Sequence, residues 1–304
     1  MEQFLQQMVN GFTVGSVYAL VALGYTMVYG ILRMINFAHG EMFMLGSYVA
    51  LTLMVSQHVN FLAAIPNLFL ALISIFIVSM IVVAFAGVAI ERIAYRPLRK
   101  AGRLAPIVSA LGIALAVQNA VMLTYGTQYQ VFPEGLLPST VWRVLGVEIT
   151  LMRVIVLLLS LGLMAVMYVF VQKTPLGTAI RATALDHDAA RLMGIDVDRI
   201  ILTVFLIGPA LGAAGGIMVG LYYRQINFTM GWTYGLKAFT AAIIGGIGNI
   251  PGAMAGGLLL GILETLGAGY ISTGWKDAFA FFILITILVF RPTGLLGERV
   301  AEKI

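Results

Sequence analysis

Residues 238–266 read AFTAAIIGGIGNIPGAMAGGLLLGILETL. The run is apolar and longer than the roughly 20 residues that cross a bilayer as a helix. Its middle, GGIGNIPG at 245–252, opposes a continuous helix. Each interior Gly costs up to about 1 kcal/mol relative to Ala, and an interior Pro about 3 kcal/mol. Three readings are open: one strained helix, two half-helices joined by a turn, or a glycine loop that holds a phosphate.

The phosphate reading fails on the neighbouring residues. A phosphate-binding loop of the G-x-x-x-x-G-K-[ST] kind needs a Lys-Ser or Lys-Thr after the glycines, and none follows here. Lys173–Thr174 has no glycine loop before it, and Pro251 stands where the third Gly of a dinucleotide fingerprint belongs. The chain therefore carries no ATPase site of its own, and ATP-driven work would draw on another subunit.

The rest of the chain is as apolar as this stretch. Of 304 residues, 61% are hydrophobic and 10% charged, against about 25% charged in a soluble domain. The mean hydropathy is +0.99. Apolar segments recur at 8–32, 40–57, 66–90, 104–125, 151–172, 200–222, 237–267 and 277–290. Continuous rather than alternating runs exclude a β-barrel and predict an all-α polytopic membrane protein. About eight segments would cross, one of them broken or re-entrant. No repeat, linker or soluble module interrupts residues 1–304, so one transmembrane domain is expected. The start, MEQFLQQMVNG, lacks a basic n-region and a cleavage site and reads as a retained segment. With no Cys and three scattered His, no disulfide, metal site or bound cofactor is expected.

The net charge of +5 reflects Lys and Arg in cytoplasmic loops rather than a nucleic-acid surface. The loop ERIAYRPLRKAGR holds Arg92, Arg96, Arg99, Lys100 and Arg103, which places it inside. Alternation then sets the N-terminus, 58–65, 126–150 and 223–236 outside, and 33–39 and 173–199 inside. The tail, with Arg291, Arg299 and Lys303, belongs inside as well. Residue 236 is thus outside and the tail inside, with two apolar segments between them. Single crossings of both would leave the tail outside. The segment 237–267 must start and finish on the outer side, and GGIGNIPG is its one plausible turning point. Only Arg143, Arg153, Arg224, Lys237 and Lys276 of the 18 basic residues then fall outside. Irregular backbone at membrane depth is tolerated where protein buries it or where it lines a water-filled cavity, and broken helices point to a transport pathway.

Several polar residues are candidates for that pathway. Asn36, His39 and Glu41 stand where the chain re-enters the membrane, fitting either a pathway role or capping at the interface. Glu264 lies within a predicted span, where snorkelling to water competes with a pathway role, and Asn249 sits at the proposed turn. Asn119 is expected to hydrogen-bond between helices, and Gly208, Gly212 and Gly216, spaced by four, predict close helix packing. In the inner loop, LDHDAARLMGI reads as a short helix with Asp186 as N-cap, Asp188 in the first turn and Gly194 just past its end. Such a helix is too short to stand alone, and serves either as an inter-helix turn or as a docking element for a partner.

Taken in order, INFAHGEMFMLGSYVAL, IRATALDHDAARLMGIDV, LKAFTAAIIGGIGNIPGAMAGGLLLGILE and the closing RPTGLLG resemble the permease subunits of bacterial branched-chain amino-acid ABC importers, of the smaller H type. The resemblance covers about residues 10–297. It implies a multi-pass inner-membrane subunit that translocates leucine, isoleucine and valine. The implied partners are a second homologous permease, two cytoplasmic ATPase subunits that hold ATP and Mg, and a periplasmic amino-acid-binding protein, besides membrane lipid. It also implies that Ala179–Ile195, with Arg181, Asp186, Asp188, Ala189, Ala190, Arg191 and Gly194, contacts the ATPase. Related permeases carry amides, urea or ribose. Outside the resemblance, a stand-alone proton-coupled carrier using Glu41 or Glu264 is the other class the residues allow.

Overall fold

The computed structural model describes residues 1–56, 59–99, 101–102, 104–133, 140–144 and 146–297. Lys100, Arg103, Arg299 and Lys303, four of the cations that orient the chain, lie outside the described residues. Helix α1 (Glu2–Leu32) is followed by α2 (Ala38–Val55), the short α3 (Phe61–Ala64) and α4 (Leu68–Ile90). The Asn67 side chain accepts from the Phe69 and Leu70 N–H groups and so starts α4. Its far end widens into a π turn at Glu91–Tyr95 and tightens at Arg96–Leu98, where Pro97 removes a donor. Helix α5 (Leu104–Tyr125) leads to strand β1 (Gln130–Val131) and the hairpin β2 (Val141–Val144) with β3 (Val147–Thr150).

Thr150 caps α6 (Leu151–Lys173), and Thr174 with Pro175 starts α7 (Pro175–Leu185). Then come α8 (His187–Leu192), α9 (Val197–Tyr223) and β4 (Gln225–Ile226), which pairs antiparallel with β1. The chain closes with α10 (Met230–Gly245), α11 (Ile250–Tyr270) and α12 (Lys276–Phe290). Among the described residues, eight helical stretches are long and apolar enough to cross a membrane, and the 16-residue α10 is not one of them.

Helix α1 is the axis of the bundle, buried from Gly11 through Val28 apart from Phe12, and it packs on α11, α9 and α10. The outer helices α4, α5, α6 and α12 expose large apolar side chains such as Phe69, Phe85, Leu123, Leu158 and Phe282. A surface of this kind suits lipid rather than water. Asn119 bonds back to the Leu115 carbonyl of its own helix at 2.7 Å and is exposed, so the expected helix-to-helix bond is not made.

The opening stretch is two helices, as the charge parity required. Gly246 and Gly248 turn the chain at φ +105° and +96°, conformations that a β-carbon disfavours. The Leu295 and Leu296 N–H groups donate to the Ile244 and Gly245 carbonyls at 2.8 and 3.0 Å, and the Asn249 amide donates to the Leu296 carbonyl at 2.8 Å. The turn therefore sits beside the chain's tail at one end of the bundle, rather than at mid-depth. The same end carries Arg33, Arg99, α7 and α8, and is called the basic end below.

The irregular backbone at depth lies elsewhere, between α1 and α2. His39 packs against Gly24, which is eight residues, about 12 Å of helix, before the end of α1. It also faces Gly212, fifteen residues, about 22 Å, past the start of α9. After Leu32 the chain folds back into the bundle, and α2 starts inside it. Residues 33–39 are thus an entry into the protein interior, where the sequence predicted an inner loop. Helix α10 also begins inside: its Tyr234 ring lies 6.2 Å from that of Tyr18, midway along α1.

Candidate functional site

The N-termini of α2 and α10 cross within the bundle, and only glycine permits the approach. A β-carbon on Gly231 would stand 2.5 Å from Glu41 Oε2 and 2.8 Å from the Gly40 carbonyl; one on Gly235 would stand 2.8 Å from the Gly40 Cα. Gly208, Gly212 and Gly216 line one face of α9 against Gly24, His39 and the Phe43 carbonyl, which is the close packing their spacing predicts.

Two ionisable side chains are enclosed at this crossing. His39 is fully buried, its ring 4.5 Å from that of Tyr25 and the Val21 main chain beside it as a hydrogen-bond neighbour. Glu41 is 2% exposed, and its Oε2 has no hydrogen-bond partner. Unsatisfied polar groups at this depth are costly. Asn36, by contrast, is satisfied. Its Oδ1 accepts from the Ala38 N–H at 3.1 Å and from the Tyr95 hydroxyl at 2.9 Å, tying the start of α2 to the π turn. That turn is braced by Arg99, which pairs with the buried Glu91 and, at 2.5 Å, with Asp198 of α9.

Glu264 occupies a second site, in the half of the bundle away from the basic end. It is fully buried, and snorkelling to water is not its solution. Its Oε1 accepts from Lys237 Nζ at 2.9 Å, from Lys276 Nζ at 3.2 Å and from the Tyr18 hydroxyl at 3.2 Å. Lys237 also pairs with Asp277 at 2.6 Å. The two carboxylates and two ammonium groups balance, as charges removed from water must. The sequence reading missed Lys237, Tyr18 and Tyr25. Lys237 was placed on the outer side because it stands at the edge of an apolar run; the four-charge balance in this half of the chain was the available signal.

Asn249 belongs to neither cluster. Its Oδ1 accepts from the Gly252 N–H and caps α11, while its amide holds the tail. The five pathway candidates therefore fall in three places: Asn36, His39 and Glu41 together, Glu264 apart, and Asn249 at the basic end.

The basic end presents a third feature, α8 with its flanks. Asp186 Oδ1 accepts from the Asp188 and Ala189 N–H groups at 2.9 and 3.0 Å. At the other end Gly194, at φ +83°, donates to the Arg191 carbonyl, and Ile195 to the Ala190 carbonyl. Both orphan ends of this six-residue helix are closed by its own sequence. Ala190 is its buried contact, whereas Leu185, Leu192 and Met193 are 78%, 88% and 82% exposed. Arg191 pairs with Asp188 at 3.4 Å in the open, an interaction worth little. Arg181 reaches back to the Val171 carbonyl and Gln172 at the end of α6.

Among the described residues no group of His, Asp and Glu is arranged to hold a metal ion. A family model described as branched-chain amino acid transport system permease component matches residues 7–288. The chain is 45% identical over 304 residues to the high-affinity branched-chain amino acid transport system permease protein BraD of Pseudomonas aeruginosa, covering 99% of this chain and 98% of that protein. It is 43% identical to LivH of Escherichia coli K12, with the same two coverages. A probable LivH of Methanocaldococcus jannaschii is 30% identical over 91% of this chain and 88% of its own length. No solved structure matches.

Proposed function

The chain belongs to the branched-chain amino acid transport permease family, and on that premise we propose that it is the membrane-crossing subunit of an ATP-driven importer for leucine, isoleucine and valine. The observation that carries this reading is the near-complete match to BraD, 45% identical across 99% of the chain. The chain is a transport subunit rather than an enzyme. Its proposed seat is the bacterial inner membrane, with the basic end towards the cytoplasm.

In an ATP-driven importer a chain with no phosphate loop draws its energy from ATPase subunits that hold ATP and Mg, and α8 with its flanks offers them an apolar knob of Leu185, Leu192 and Met193. A second, homologous permease completes the pathway, and a periplasmic binding protein loads it from the other end. Transport then alternates access at depth, where α2 and α10 begin as broken elements. Amide or urea permeation, and a stand-alone proton-coupled carrier, have no observation in their favour.

The test is reconstitution of this chain with the second permease, the ATPases and the binding protein in vesicles. Leucine uptake should require ATP and every subunit. Ion-driven uptake by this chain alone overturns the reading.

A further inference from the structure

A cavity lies between α1, α6, α9 and α10. Val14, Val156, Met218 and Val219 line it together with four tyrosines, among them Tyr18 and Tyr234. Tyr18 belongs to two structures at once. Its ring walls the cavity, while its hydroxyl donates to Glu264 Oε1 at 3.2 Å. The hub formed by Glu264, Lys237 and Lys276 therefore adjoins an apolar chamber, with one tyrosine between them.

The hub is incomplete on one side. Three donors converge on Glu264 Oε1, while Oε2, equally buried, has no partner. An ionised carboxylate accepts about four hydrogen bonds, so Oε2 has unused capacity for a donor such as an ammonium group. Lys276 is the most accessible cation of the hub, its side chain 33% exposed against 7% for Lys237. It can exchange Glu264 for another carboxylate at small cost in desolvation.

A molecule that offers an ammonium group, a carboxylate and an aliphatic side chain satisfies all three environments. We propose that this cavity and the Tyr18–Glu264–Lys276 hub form a transit subsite for the aliphatic amino-acid zwitterion. Its ammonium meets Glu264 Oε2, its carboxylate meets Lys276, and its side chain enters the aliphatic wall. The proposal rests on the importer reading above. In the present arrangement the cavity volume is about 10 Å³, too small for an aliphatic side chain, so occupation requires the Tyr18 and Tyr234 rings, 6.2 Å apart between centroids, to separate during the transport cycle.

The test uses the complete transporter in proteoliposomes, with one binding protein delivering either leucine or valine at saturating concentration. Val156→Leu adds one methylene to the cavity wall without touching the hub. It should lower leucine uptake about 5–10-fold more than valine uptake, with ATPase stimulation by the loaded binding protein within about twofold of the parent. Tyr18→Phe keeps the ring and removes the bridge to Glu264. It should lower uptake of both substrates while leaving their ratio unchanged. Parallel loss of leucine and valine uptake in Val156→Leu, or no loss, overturns the subsite. So does a Tyr18→Phe transporter that is less thermostable yet equally active per assembled complex. Parent vesicles that import neither amino acid would instead overturn the importer reading, and the subsite with it.

Discussion

His187 Nε2 meets the main-chain carbonyl of Ile31 at 2.9 Å. This contact joins α8, on the surface of the basic end, to the last turn of α1, the central helix of the bundle. Arg33 adds a second tie at 3.4 Å to the Leu185 carbonyl. Five residues on from Ile31 stands Asn36, which fixes the start of α2. A force applied to α8 would thus reach the buried crossing of α2 and α10 through the short stretch from Ile31 to Asn36. Replacing His187 by Ala removes a bond worth about 1 kcal/mol, close to fivefold in an equilibrium. Leucine imported per ATP hydrolysed should fall about that much, with assembly intact. An unchanged ratio sinks the transmission route.

The caps of α8 should matter more than its charges. A six-residue helix has no stability of its own, so closure of its ends decides whether the apolar knob is presented. Asp186→Ala should cost about 1 kcal/mol and Asp186→Asn much less. Gly194→Ala meets no neighbour but must hold φ +83°, a strain of about 1–2 kcal/mol. Retention of ATPase subunits on the solubilised complex measures both. Asp188→Asn, which breaks only an exposed ion pair, should retain them fully; equal loss in Asp188→Asn and Asp186→Ala refutes the ranking.

The buried crossing should be intolerant of a single methyl group. Gly231→Ala places its β-carbon against Glu41 and the Gly40 carbonyl, and Gly40→Ala meets the Gly231 backbone. Overpacking of this kind costs about 1–3 kcal/mol. Gly112→Ala and Gly162→Ala, in helices with nothing within 4 Å, should be neutral or stabilising by up to about 1 kcal/mol. Thermal unfolding of the four variants in detergent gives the comparison. Similar melting temperatures for all four would mean that the α2–α10 contact is not tight.

What could be read from the sequence was local or arithmetical. Charge parity found the fold-back at GGIGNIPG because the basic tail and the basic 92–103 loop had to share a side. The caps of α8 were visible because an Asp and a Gly act on backbone groups within a few residues of themselves. Depth was not visible. Arg33, Asn36 and His39 look alike to a hydropathy scan whether the chain skims the interface or folds back about 12 Å into the bundle; only packing against Gly24 and Gly212 decides. Lys237 was hidden for the same reason, since Glu264 is 27 residues away and meets it only once α10 and α11 have closed on each other. The hairpin of β2 and β3 was passed over as an outer loop, although VWRV and VEIT around Gly146 carried a two-strand signal.

The Glu264–Lys237 pair should show strong thermodynamic coupling. Glu264→Leu leaves the buried Lys237 ammonium with Asp277 and the Tyr18 ring face but without its buried carboxylate, a loss of about 3–5 kcal/mol. Lys237→Met leaves Glu264 with Lys276 and Tyr18 and should cost less. The double replacement removes both charges, so it should be more stable than Glu264→Leu alone. Melting temperatures of the assembled complex test this. Additive losses in the double variant would mean that the two groups do not interact across the bundle.

Orientation is the property on which every functional assignment depends, and the absence of Cys makes it directly measurable. Leu192, 88% exposed on α8, marks the basic end; Val141, 49% exposed on β2, marks the other. The basic end should face the cytoplasm because the Lys and Arg excess of its loops resists translocation. A membrane-impermeant thiol reagent should then label Val141→Cys in right-side-out vesicles and Leu192→Cys only in inside-out ones. The spanning helix α6 separates the two sites, so their labelling must be complementary whichever way the chain sits. Reversed labelling would place α8 outside the cell, beyond the reach of any ATPase, and would remove the coupling assignment while leaving the fold untouched.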